Sequence, residues 1–496
     1  MVEKKYQPEK KKPGLCRRIF KWIGLGLLVL LLIAGLIFQA PWKVTTLLAI
    51  ILAACTIMPK PARKWFWLSA GVVVIALIIW VFLPEDDEGW RPYTFDKELA
   101  ALEARYAIPD EENAALAYNE IFETMDIDAN QPEFFLKSKP SSRNEPWLSK
   151  DHPETAEWLK DKQKIIDRLI EISRIEKCKF SIPVGPASLD LSMKRLPQIR
   201  RSTFLLVSAA NNDIAEGRID AALEKCLCII QMAEHLYQQP ALIYYQVGIA
   251  IEALGSLRLN RFVIEAQPRP EQLQLVSSFL IGVENNWGDD WRKILDFEKL
   301  YAKNMLCGMV YEADSEGKTR LTRRSFASTI GQSPQQLPTG TYSRRKCAKL
   351  GVIFVWLYVP SAPEKISEIV DASYAKYYAM TEPGFDWDKE PVEFRPRWKV
   401  NYRSGVKLIA NLPEQAYYRV HEIYLRNLEL RRGSRLLTAI KQYNIEHGSW
   451  PASLDAIKPE APAEAFIDPV SGGQFEYENH GERFSLYGET INIWPK

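Results

Sequence analysis

The chain has 496 residues, enough for two or three domains. With 47% hydrophobic and 25% charged residues it is not disordered in bulk. The net charge of +2 is unevenly placed: residues 1–83 carry 12 Lys and Arg against 2 acids, and the remainder 52 against 60. A mildly acidic body argues against nucleic acid as a partner, since its binding proteins need a basic face to displace counterions.

Residues 1–18 read as a basic cytoplasmic tail. Residues 19–83 hold three apolar runs, 19–38, 42–58 and 65–83. The first and third have the length of a bilayer span, and the second spans only if Trp42 and Lys43 sit at the interface. Lys and Arg flank the runs in a pattern that places the N-terminus inside, with three spans and residues 84–496 on the far side. If the second run only dips in, two spans remain and the large domain is cytoplasmic. The expected protein is therefore a multi-pass component of the cytoplasmic (inner) membrane of a bacterial cell envelope. Its expected partners are the lipid bilayer and other envelope proteins. LAAC (52–55) has the look of a lipoprotein box, but Cys55 is better read as a small apolar residue inside a span.

An α-helical domain is expected over 84–310. Two helical patterns, 95–108 and 110–122, are divided by Pro109, and residues 126–152 read as loop. A helix over 153–177 carries Trp158, Ile165, Leu169 and Ile172 on one side. Three closely connected helices fill 195–263, with Gly217 as a stop and Ile219, Leu223, Leu227, Ile230 and Leu236 toward a core. AEGRIDAAL has the form of a tetratricopeptide-like turn, but no sustained period of about 34 residues follows, so helical hairpins are the expectation. One further helix is expected over 271–307. Residues 311–349 read as a flexible basic loop containing TRLTRRS and SRRKCAK. GVIFVWLYV (351–359) is too short for a span, and 350–412 continues as helix and loop.

The C-terminal segment, 413–496, reads as a long helix ending at Gly448, with Gly433 as a point where it bends or divides. A Trp450-Pro451 corner, a short second helix and a β-hairpin QFEYE–RFSLY then follow. The order AIKQYNIEHGSWPASLDAI, DPVSGGQFEY, ERFSLYG resembles the globular end of type II secretion major pseudopilins, over about residues 430–490. That resemblance implies a small α+β module. The pseudopilins it resembles carry an acidic calcium loop after the final strand. Here GETINIWPK has only Glu489, so no calcium ligand is carried over. Asp468 is read as a turn residue, and Glu476 and Glu478 as solvent-facing strand residues.

No catalytic, cofactor-binding or metal-ligating residue stands out. His152, His235, His421, His447 and His480 form no metal-type pair, and no phosphate loop or nucleophile elbow occurs. GDDW (288–291) places two carboxylates together, for which a helix start is the commoner explanation than a catalytic pair. Cys226 and Cys228, two apart on a helix, point in different directions and do not pair. The sequence thus predicts N-terminal transmembrane helices, a mainly α-helical domain and a small α+β module. The function expected is a membrane-anchored, non-catalytic interaction or scaffold protein. An auxiliary part in a secretion or pilus-like assembly, or an enzyme whose site comes from distant positions, are the alternatives.

Overall fold

The computed structural model of the chain describes residues 89–137, 141–182, 186–283, 287–308, 311–321, 362–382, 384–387 and 414–493, together with Val72. The described part is mainly helical, with two small antiparallel sheets. Two compact units are distinguished. One comprises Met1–Thr94, Leu306–Val370 and Glu393–Ala410, and the other Phe95–Met305, Asp371–Val392 and Asn411–Lys496.

The first unit contains β1 (Arg91–Pro92), β2 (Tyr311–Ala313) and β3 (Thr319–Leu321), paired in that order. The residues expected to open a flexible loop instead form a hairpin. Asp314 Oδ1 accepts the backbone N–H groups of Glu316 and Lys318, and Gly317 supplies a positive φ of 81°, which together close a tight turn. Across the strands Arg320 meets Glu312 at 2.9 Å and lies over the Trp90 ring at 4.0 Å. The rest of the expected loop and the apolar run 351–359 lie outside the described residues.

The second unit begins with α1 (Asp96–Arg105), α2 (Ala114–Thr124), α3 (Glu133–Leu136), α4 (Pro153–Asp161) and α5 (Gln163–Ser173). It continues with α6 (Pro186–Ala215), α7 (Ile219–Tyr237), α8 (Leu242–Glu265), α9 (Pro270–Gly282), α10 (Trp287–Gly308, in this unit as far as Met305), α11 (Pro363–Tyr378, in this unit from Asp371) and α12 (Glu414–His447). The division at Pro109 is present, and Asn113 caps α2 through its Oδ1, which accepts from Ala115 N at 3.1 Å. The stretch expected as one helix from 153 is two, α4 and α5, broken at Lys162. α6 starts nine residues before the expected Arg195 and runs through Pro197. A proline inside a helix costs one backbone hydrogen bond, and here the chain accepts that cost.

α6 and α7 are joined at Gly217 (φ 73°). Asp213, buried at the end of α6, accepts from Arg218 at 2.6 Å and Lys225 at 2.7 Å, which fixes the angle of the turn. α7 and α8 lie close because of two glycines seven residues apart on one face of α8. A Cβ at Gly255 would sit 2.7 Å from Ile230 Cγ1, and one at Gly248 would sit 2.9 Å from the Tyr237 ring.

α12 is one unbroken helix of 34 residues that packs on α8 and α9. Gly433 does not divide it. Instead Ile491 and Ile493 press on the helix there, and a Cβ would meet Ile491 Cδ1 at 2.5 Å. The C-terminal sheet is β4 (Glu476–Asn479), β5 (Phe484–Tyr487) and β6 (Asn492–Ile493), in that order, with Tyr477 opposite Leu486 and Asn479 opposite Phe484. One continuous core joins both parts: Leu223, Ile230 and Phe262 of the helical stack, Leu436 and Ile440 of α12, and Phe475, Phe484 and Leu486 of the sheet. The C-terminal residues thus share the core of the helical domain.

The expectation of membrane spans is corrected. Among the described residues no helix is long and apolar enough to cross a membrane. Length is not the obstacle for the longest helices. α8 carries Glu252, Arg258, Arg261 and Glu265, and α12 carries charges in every turn from Arg419 to Arg435, a cost that a bilayer core does not forgive. N-terminal transmembrane helices and a multi-pass inner-membrane location are withdrawn on this finding. The runs 19–38, 42–58 and 65–83 lie outside the described residues, apart from Val72, which is helical and exposed.

Candidate functional site

The residues weighed for chemistry are dispersed by the fold. In GDDW, Asp289 is exposed and Asp290 is half-buried, so the first turn of α10 points the two carboxylates apart. Asp290 pairs with Lys293 at 3.2 Å. His235 is buried in α7, where its Nε2 donates to Ile175 O at 2.7 Å and its Nδ1 accepts from the Tyr118 hydroxyl at 3.0 Å. A carbonyl can only accept, which fixes the tautomer. Burial pushes its pKa down to about 4, so the ring is neutral. His421 is stacked on Trp387 at 3.6 Å, edge-on to Trp287, and is likewise pushed down to about 4 by burial.

His447, exposed at the end of α12, donates from Nδ1 to Tyr443 O at 3.1 Å and stacks on the Tyr443 ring. His480 lies in the hairpin connection and His152 stacks on Phe134. Among the described residues no group of three or more His, Cys, Asp or Glu is placed to hold a metal ion. Cys178, Cys226, Cys228 and Cys307 are buried, and burial pushes the Cys226 and Cys228 thiols up to about 12.

Asp468 is a turn residue, accepting from Val470 N at 2.8 Å and Ser471 Oγ at 3.0 Å, but it also accepts from Glu489 N at 2.8 Å. It is buried and clasps the segment after the last hairpin strand. Glu476 and Glu478 face solvent.

Two features were not foreseen. The first is a buried polar lattice where α7, α8, α10 and α12 meet. Arg431 binds Glu252 through Nε to Oε1 at 2.5 Å and Nη2 to Oε2 at 2.7 Å, and gives its Nη1 to Val283 O at 2.8 Å. Tyr237 Oη and Asn427 Nδ2 donate to Glu252 Oε2 at 2.6 and 2.5 Å. Glu234 approaches the same charges, and burial pushes its carboxyl up to about 8. A neighbouring carboxyl, Glu298 of α10, accepts from Leu242 N at 3.0 Å and is pushed up to about 7 by burial. The signal in the sequence was a charge inside an apolar face: Glu252 in IAIEALG and Arg431 in LELRRGSRLL.

The second feature is an open groove of about 820 Å³ between α5, α7 and α9. Its lining includes the apolar side chains Leu223, Leu227, Phe279 and Leu275, the last 51% exposed, beside the polar Gln231 and Gln272. Its rim carries two ion pairs, Arg174–Glu224 at 2.6 Å and Arg269–Asp220 at 2.9 Å. A smaller cleft of about 590 Å³ lies between α1 and residues 179–182, with Phe180, Ile182 and Phe297 in its wall. Glu234, Asp290 and Glu298, the carboxyls raised by burial, line neither opening. Compared with known protein families, curated proteins and solved structures, the chain matches none.

Proposed function

We propose that this chain is a non-catalytic interaction or scaffold protein, whose helical stack presents the α5–α7–α9 groove to a protein partner. The observation that supports this reading is the separation of chemistry from access. The carboxyls with raised pKa values are half-buried between helices and line neither opening, whereas the groove open to solvent has apolar side chains and ion-paired edges. A catalytic acid or base has to reach its substrate, and exposed apolar side chains within a charged rim are the ordinary anatomy of a protein contact.

The test is co-purification from the native host with full-length protein and with Leu275→Arg, an exposed substitution that leaves the core untouched. A partner held by the wild type and reduced at least tenfold by the variant supports the reading. Identical partner profiles for the two proteins would overturn it.

A further inference from the structure

Three carboxyls and two cations meet where α7, α8, α10 and α12 come together. Glu252 is paired with Arg431 and Asp290 with Lys293. Arg431 also donates from Nη1 to Val283 O, and Lys293 gives a second hydrogen bond to Tyr237 O at 2.7 Å. The third carboxyl, Glu234 of α7, has Oε1 buried with no hydrogen-bond partner. The charges that act on it are those same four, from α8 (Glu252), α10 (Asp290, Lys293) and α12 (Arg431). The tyrosines of the lattice, Tyr237, Tyr245 and Tyr424, are neutral, with their pKa values raised by burial. Two negative and two positive charges already balance, so a third negative charge has no counterion.

We propose that Glu234 is a proton-operated joint. As the neutral acid it lets α12 seat on α7 and α8. On losing its proton to solvent it competes with Glu252 for Arg431 and with Asp290 for Lys293, and α12 loosens. Burial, with Glu252 and Asp290 adding to it and Arg431 and Lys293 opposing, holds the proton on Glu234 up to about pH 8. Because the folded value lies above the unfolded one, the contribution is complete below the ordinary glutamate value. It is lost progressively as pH rises through about 8. This device stands independently of which partner the groove takes.

The test is amide hydrogen exchange of α12 in the full-length protein from pH 5 to pH 9, scaled for the intrinsic rate. Protection around Asn427–Arg431 should fall by roughly tenfold per pH unit up to about pH 8 and then level off. Glu234→Gln should abolish that fall, whereas Glu298→Gln, which removes the other carboxyl raised toward neutrality, should leave it in place. A flat wild-type profile, or the same fall in Glu234→Gln, would overturn the proposal. Should Glu234→Gln not fold, infrared spectroscopy of wild-type protein with labelled glutamate reads the joint directly. A protonated glutamate band at pH 7 that Glu298→Gln retains supports it, and the absence of any such band overturns it.

Discussion

Arg431 and Glu252 meet as a two-pronged pair at 2.5 and 2.7 Å, with side chains 3% and 1% exposed and 179 residues apart in the chain. The pair joins α12 to α8 at a depth where neither charge reaches water. Removing one member leaves the other uncompensated. Arg431→Met should therefore cost about 3–5 kcal/mol in denaturant unfolding. Adding Glu252→Gln should return about half of that loss, since the amide still accepts from Tyr237 and carries no charge. Equal stability of the two variants would show that the charge is not what is lost.

His235 gives the protein an acid limit. An unfolded histidine takes a proton near pH 6.5, whereas the folded ring, pushed down by burial, resists to about pH 4. Between those values the unfolded state binds more protons, so this contribution to stability is whole above pH 6.5 and declines as pH falls. The expected slope is about 1.4 kcal/mol per pH unit, read as the difference between wild type and His235→Gln in urea unfolding from pH 7 to pH 4. Its sign is opposite to that of Glu234.

Gly255 sets the distance between α7 and α8. Its missing side chain is the space that Ile229 and Ile230 occupy, with Ile230 N at 3.3 Å as a wall that does not yield. Gly255→Val should cost about 1–3 kcal/mol by overpacking, despite valine's better helix propensity. Thermal unfolding of this variant beside an exposed Leu257→Val control checks the magnitude.

Glu429 anchors the end of the sheet to α12. Its carboxylate accepts from the backbone N–H groups of Thr490 at 2.8 Å and Ile491 at 3.3 Å, and from the Thr490 hydroxyl. Glu429→Ala should cost about 1.5–3 kcal/mol. Amide exchange at Thr490 and Ile491 should rise well before exchange in α7 does.

The elements that were legible from sequence are those with local causes. Gly217 and Gly448 stop helices with positive φ, and Asn479-His480-Gly481 turns the hairpin, with Asn479 Oδ1 accepting from Gly481 N at 2.8 Å. The Trp450-Pro451 corner is likewise local, and the structure adds its fastening. Tyr477 Oη and Asn479 Nδ2 donate to Pro451 O at 2.9 and 3.0 Å, and Trp450 Nε1 donates to Glu482 O at 3.1 Å. What stayed hidden depends on partners far away in sequence. Nothing near Glu252 announces Arg431, and nothing near Gly433 announces Ile491. The break at Lys162 and the helix through Pro197 run against local propensity, which is a weak guide on its own. The groove lining was partly visible, since Leu223 and Leu227 were assigned to an apolar face, but not that α9 would leave that face open.

The continuous core has a consequence for synthesis. α8 leaves the ribosome carrying Glu252, and its counterion follows 179 residues later. At ordinary elongation rates of about 5–20 residues per second, that is a delay on the order of ten seconds or more. Over that interval the nascent helical stack holds a carboxyl that has no cation and an apolar face that α12 has not yet covered. The protein's most exposed moment comes before it is finished, and a holding chaperone acting on chains truncated before α12 would meet it there.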